Sequence, residues 1–90
     1  MAIKVNISPL LNRATNGVRT TEVNGNTVGQ CLNHLVKRFP GIEPTLFDKE
    51  GKLYYYVDIF INRVNAYPGE ITKPVNDGDE LSIVLAIGAG

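Results

Sequence analysis

The chain has 90 residues, 43% of them hydrophobic and 20% charged, which suits one small globular domain and leaves no room for a second core. Nine Lys plus Arg balance nine Asp plus Glu, so the basic excess with which a nucleic-acid binder neutralises phosphates is absent. A single cysteine, Cys31, and a single histidine, His34, exclude a disulfide framework, a four-cysteine cluster and multi-histidine metal sites. No apolar run approaches the roughly 20 residues of a membrane span, and no basic-then-apolar leader follows Met1. The expectation is a single cytoplasmic domain over residues 1–90, with no metal site and with neither nucleic acid nor membrane as a partner.

Ile3, Val5 and Ile7 alternate with Lys4, Asn6 and Ser8, the period of a half-buried strand, and Pro9 ends it. Asn12 to Gly17 has the composition of a hairpin turn, and Val18 to Val23 follows as a β-branched second strand. The period then changes. Val28, Cys31, Leu32, Leu35, Val36 and Phe39 form one helical stripe, with Thr27 as N-cap and Gln30 completing a capping-box pattern. Lys37 and Arg38 suit the negative end of the helix dipole, and Pro40-Gly41 closes the helix. Ile42 to Leu53 reads as a loop with one short helical turn. Tyr54 to Ile61 reads as a third strand and Asn62 to Gly69 as a turn with a short strand. Asn76-Asp77-Gly78-Asp79 is a turn, Leu81 to Ile87 the final strand, and Gly88-Ala89-Gly90 a flexible end, so that residues from about 87 to 90 form a tail. Two strands, a helix and further strands give an α+β domain.

Few side chains suit chemistry. Cys31 lies on the apolar helix stripe, where a thiol acts as a small hydrophobe. His34 has no Cys, Asp or second His at ligand spacing, and a solvated or capping role is expected. Asp77 and Asp79 flank a glycine, where Asp serves the turn by bonding its own backbone. In the third strand, alternation turns Tyr55, Val57, Ile59 and Ile61 toward the helix and Tyr54, Tyr56, Asp58 and Phe60 outward. Exposed aromatics on a sheet favour a protein interface, so Tyr54, Tyr56 and Phe60 are the candidate partner surface; the alternative is that loop residues cover them.

The element order is that of the ubiquitin-like β-grasp, and particular residues sharpen the likeness. They are Thr27-Val28-Gly29 opening the helix, Phe39-Pro40-Gly41 closing it, Gly51 before the Tyr54 segment, Phe60-Ile61-Asn62, Val75-Asn76-Asp77-Gly78-Asp79-Glu80-Leu81, and the small-residue tail. Together these resemble the MoaD/ThiS family, meaning the small subunit of molybdopterin synthase and the thiamine sulfur carrier. The long loop before Gly51 looks more like the molybdopterin branch. The family pattern ends in Gly-Gly, and here Ala89 stands in the penultimate place.

The resemblance implies a mixed four- to five-stranded sheet packed on one main helix, with no active site and no bound cofactor of its own. It implies that the Gly90 carboxylate is adenylated and then thiocarboxylated, with Gly88 and Ala89 threading the partner. ATP and Mg would come from a ubiquitin-activating-like adenylyltransferase, and the chain would be the small subunit of molybdopterin synthase, partnered by the larger subunit and donating sulfur in molybdenum or tungsten cofactor biosynthesis. An extended tail from Leu85 to Gly90 spans roughly 16–20 Å at about 3.3 Å per residue, enough to enter a channel. The alternatives are a ubiquitin-like modifier, a carrier for another sulfur pathway such as thiamine or cysteine, and a β-grasp interaction module without tail activation.

Overall fold

In the computed structural model, which describes residues 2–86, the opening alternation becomes strand β1, Ala2–Ile7. It pairs antiparallel with β2, Thr20–Asn24, placing Ile3 opposite Val23. Strand β5, Glu80–Leu85, lies parallel to β1 on its other side. Strand β3, Val57–Ile61, runs antiparallel to β5, and the two-residue β4, Val64–Asn65, completes the sheet in the order β2-β1-β5-β3-β4. Helix α1, Val28–Arg38, covers one face. Val28, Cys31, Leu32 and Leu35 on it meet Ile3 and Val5 of β1, Ile59 of β3, and Leu81 and Ile83 of β5 in one core. Because strand side chains alternate, the opposite face carries Lys4, Asn6, Glu80, Ser82 and Phe60, and no element among the described residues lies over it.

The capping signals at α1 act as hydrogen bonds. Thr27 Oγ1 accepts from the Gln30 N–H at 3.2 Å. Gln30 Oε1 accepts from the Asn26 N–H at 2.7 Å, one residue earlier than a standard capping box. The connection before β3 contains one short helix, α2, Glu43–Leu46. The second strand starts at Thr20, not Val18, because residues 8–18 close on themselves. Pro9–Leu11 makes a 3-10 turn, and the buried Thr15 hydroxyl donates to the Val18 carbonyl at 2.9 Å.

The sequence segments behind the family resemblance meet in space. The Val28 N–H donates to Lys73 O at 3.0 Å and the Val75 N–H to Asn26 O at 2.9 Å, tying the start of α1 to the segment before the Asn76–Asp79 turn. Gly29 is a close approach: a Cβ there would lie 2.8 Å from Ile71 Cγ2 and 3.0 Å from Ile71 O. Asn62, at φ +49°, occupies the left-handed region that Asn tolerates. Its Nδ2 donates to Asp79 Oδ1 at 3.0 Å and its Oδ1 accepts from the Glu80 N–H at 3.0 Å. The Phe60-Ile61-Asn62 segment thus locks the turn that starts β5.

Candidate functional site

Strand β5 ends with Leu85 opposite Val57, and the Ala86 N–H donates to Tyr56 O at 2.8 Å. That bond fixes where the chain leaves the sheet, beside the tyrosine run. Ile87 and the expected tail residues Gly88, Ala89 and Gly90 lie outside the described residues.

The tyrosine run departs from the expected alternation. Strand β3 begins at Val57, three residues after Tyr54. The cause is a turn: the Tyr54 N–H donates to Leu46 O and the Val57 N–H to Tyr54 O, both at 3.0 Å. Tyr55, expected toward the helix, is instead 95% exposed. Tyr54 and Tyr56, expected outward, are half-buried against the core. Their rings stack with centroids 5.1 Å apart and planes 9° apart, and the Tyr56 hydroxyl donates to Thr45 O at 3.2 Å. Tyr55 meets Tyr56 edge-on at 5.5 Å. Of the three candidate interface residues, Phe60 alone sits on the open sheet face, opposite Ser82 and Asn65. Val84, 41% exposed, is its diagonal neighbour there.

The rest of that face is polar. Asn6 Nδ2 donates to Glu80 Oε2 at 2.7 Å, and Lys4 Nζ lies 3.6 Å from the same carboxylate. The Asn6 bond, reinforced by Lys4, holds the Glu80 carboxyl below its ordinary pKa. Asp79 is also lowered, by the Asn76 N–H on Oδ2 at 2.8 Å and by Asn62. Asp79 thus bonds its own turn, as expected, whereas Asp77 Oδ1 accepts from the Ala2 N–H at 2.8 Å and ties the turn to the start of β1.

Cys31 is fully buried, and desolvation pushes its thiol upward, away from the thiolate a nucleophile needs. His34 has the capping role: its Nδ1 accepts from the Asn24 N–H at 2.8 Å. No group of three or more His, Cys, Asp or Glu able to hold a metal occurs among the described residues. No helix among them is long and apolar enough to cross a membrane.

Sequence reasoning missed a groove beside Tyr55, to which Tyr67 and Ile71 contribute. The available signal was Tyr67 itself, a large aromatic directly before Pro68-Gly69, in loop composition where burial is least expected.

No family model matches the chain. Sulfur carrier protein CysO of Mycobacterium tuberculosis (strain ATCC 25618 / H37Rv) is 29% identical over 93 residues, covering 100% of both chains. Small archaeal modifier protein 1 of Haloferax volcanii is 35% identical over 77 residues, covering 82% of this chain and 85% of the relative. Among solved structures, the Amycolatopsis orientalis BexX/CysO complex contains a chain that matches with TM-score 0.89 and 30% identity, covering 99% of this chain and 100% of that one. The five-stranded mixed sheet on one main helix is the ubiquitin-like β-grasp, and with identity running through that whole fold the chain belongs to the ubiquitin-like sulfur-carrier family.

Proposed function

We propose that the chain carries sulfur as a thiocarboxylate on Gly90. The single observation behind this is a likeness to a sulfur carrier that spans all of both chains. In the first step the Gly90 carboxylate attacks the α-phosphate of ATP on an adenylating partner. Pyrophosphate leaves and an acyl adenylate forms. A sulfide-level sulfur nucleophile then attacks the acyl carbon, AMP leaves, and the thiocarboxylate remains. The chain contributes a slim end attached to a rigid sheet; the partner contributes ATP, Mg and the catalytic side chains. Dependence on ATP fits the cytoplasmic location expected for the chain.

The acceptor of the sulfur is the finer part of the proposal. The long loop before Gly51 resembles the molybdopterin branch, whereas CysO is matched across its full length. We therefore place the chain with the CysO-type carriers, with cysteine assembly as the acceptor pathway ahead of molybdopterin. Identity of 35% to small archaeal modifier protein 1 supports a second reading, in which the activated end is joined to lysines of other proteins.

Intact mass after incubation with the adenylyltransferase of the same organism, ATP, Mg and sulfide separates the alternatives. Exchange of one oxygen for one sulfur supports the carrier, and higher-mass conjugates in a lysate support the modifier. An unchanged mass supports an interaction module without tail activation. Sulfur transfer to a pterin precursor in the presence of a purified molybdopterin synthase large subunit, with none to a cysteine-forming acceptor, would overturn the choice of branch.

A further inference from the structure

A groove opens at the end of the sheet from which the tail departs. It is lined by Leu53, Tyr55, Val57, Tyr67, Glu70 and Ile71. Tyr55 is 95% exposed, Tyr67 72% and Ile71 37%, which makes this a cluster of large apolar side chains on a small molecule. Tyr55 is nonetheless held in place. It follows Tyr54, whose N–H is bonded to Leu46 O, and its ring rests edge-on against Tyr56, which is itself stacked on Tyr54. An exposed aromatic with its ring already oriented loses little freedom on binding, the property that makes Tyr a frequent binding hot spot.

Reach decides what covers it. The Ala86 N–H is bonded to Tyr56 O, and the four residues that follow extend at most about 14 Å. A partner that encloses the Gly90 carboxylate must therefore bring its catalytic pocket within that distance of Ala86. Tyr55 is the chain neighbour of Tyr56 and lies at this same end of the sheet, within range of such a surface. Charge narrows the partner further. Asp58 and Glu70 face Lys52 around the groove, a net negative rim that favours Lys or Arg beside the apolar segment filling the centre.

We propose that the Tyr55–Tyr67 groove is the docking surface for the adenylating partner, which seats an apolar segment flanked by basic residues there while its pocket takes the tail. The proposal rests on the reading of Gly90 as the activated group. It differs from the expected Tyr54, Tyr56 and Phe60 surface in centring on Tyr55 and Tyr67; half-buried Tyr54 contributes to the groove, whereas Tyr56 packs against the core and Phe60 lies on the open sheet face. The groove residues contribute to binding the carrier and not to the chemical step, so their loss raises KM and leaves kcat in place.

The test is carrier-dependent pyrophosphate exchange by the purified adenylyltransferase of the same organism, with the carrier concentration varied. The double variant Tyr55→Ala/Tyr67→Ala is expected to raise KM for the carrier about tenfold or more, with kcat held within about twofold. Val64→Ala, an exposed position on β4 beside the far end of β3, leaves both constants unchanged. Tyr55→Lys alone tests the same point without touching the core, since a cation placed against the partner's basic residues also raises KM. An unchanged KM in Tyr55→Lys and in the double variant, with the wild type active, overturns the groove and spares the Gly90 reading. Absence of exchange with the wild type overturns both.

Discussion

His34 Nδ1 accepts the Asn24 N–H at 2.8 Å, and so a helix side chain closes a backbone position on the outer edge of β2. One turn further along α1, Arg38 Nη1 donates to Glu22 O at 2.6 Å and to Thr21 Oγ1 at 2.8 Å. An edge strand with unpaired backbone groups invites another strand to pair with it. Here two side chains of one helix face take the Asn24 N–H and the Glu22 carbonyl of that edge, which hinders strand addition along β2.

Removing both caps should therefore change stability and association together. His34→Ala/Arg38→Ala removes three hydrogen bonds and is expected to lose about 1.5–4.5 kcal/mol, since each contributes about 0.5–1.5 kcal/mol. It is also expected to self-associate at high concentration. Urea denaturation and light scattering during gel filtration check the two effects. A monomer of unaltered stability would show that the caps leave the edge as they find it.

Gly29→Ala sets helix propensity against space. Alanine favours the helix by about 1 kcal/mol, but its Cβ would lie 3.0 Å from a backbone carbonyl, Ile71 O. That segment cannot withdraw freely because Lys73 O is bonded to the Val28 N–H. Overpacking of this kind costs about 1–3 kcal/mol, so a net loss of up to about 2 kcal/mol is expected in urea. A stabilised variant would mean that the Ile71 segment yields without strain.

Acid should weaken the fold at the turn before β5. Asp79 and Glu80 are held below their ordinary values of 3.8 and 4.5 by bonds that exist only in the folded chain. Their contribution is complete above those ordinary values and is lost as pH falls through the lower folded values. Urea stability measured from neutral pH downward should hold until the pH nears 4.5 and then decline. Asp79→Asn should be less stable at neutral pH and show a smaller acid decline. Equal acid declines in the two proteins would show that the Asn76 and Asn62 bonds to this carboxylate carry no stability.

Helix α1 was legible in the sequence because its determinants are local: the stripe from Val28 to Leu35, the Thr27 cap and the closing Phe39-Pro40-Gly41. The tyrosine run was not. Its β-propensity suits a strand, but the start of β3 depends on the bond from Tyr54 to Leu46 O, eight residues back. That bond makes a turn of Tyr54–Val57 and reverses which tyrosine faces solvent. The same holds for residues 8–18, where Thr15 closes a loop that composition alone presents as a plain hairpin turn. The Asn62–Asp79 bridge lay in two separate motif segments whose meeting only the register of β3 and β5 supplies.

The most direct test of the central claim is the intact mass of the chain after incubation with its adenylyltransferase, ATP, Mg and sulfide, compared among wild type, a Gly90 deletion and Ala89→Gly. Wild type is expected to gain one sulfur in place of one oxygen. Ala89→Gly is expected to do so at the same or a higher rate, because loss of the methyl relaxes the backbone. The Gly90 deletion is expected to fold with unaltered stability and to gain nothing. A deletion variant that is thiocarboxylated at the wild-type rate would contradict the assignment of the Gly90 carboxylate as the sulfur-carrying group.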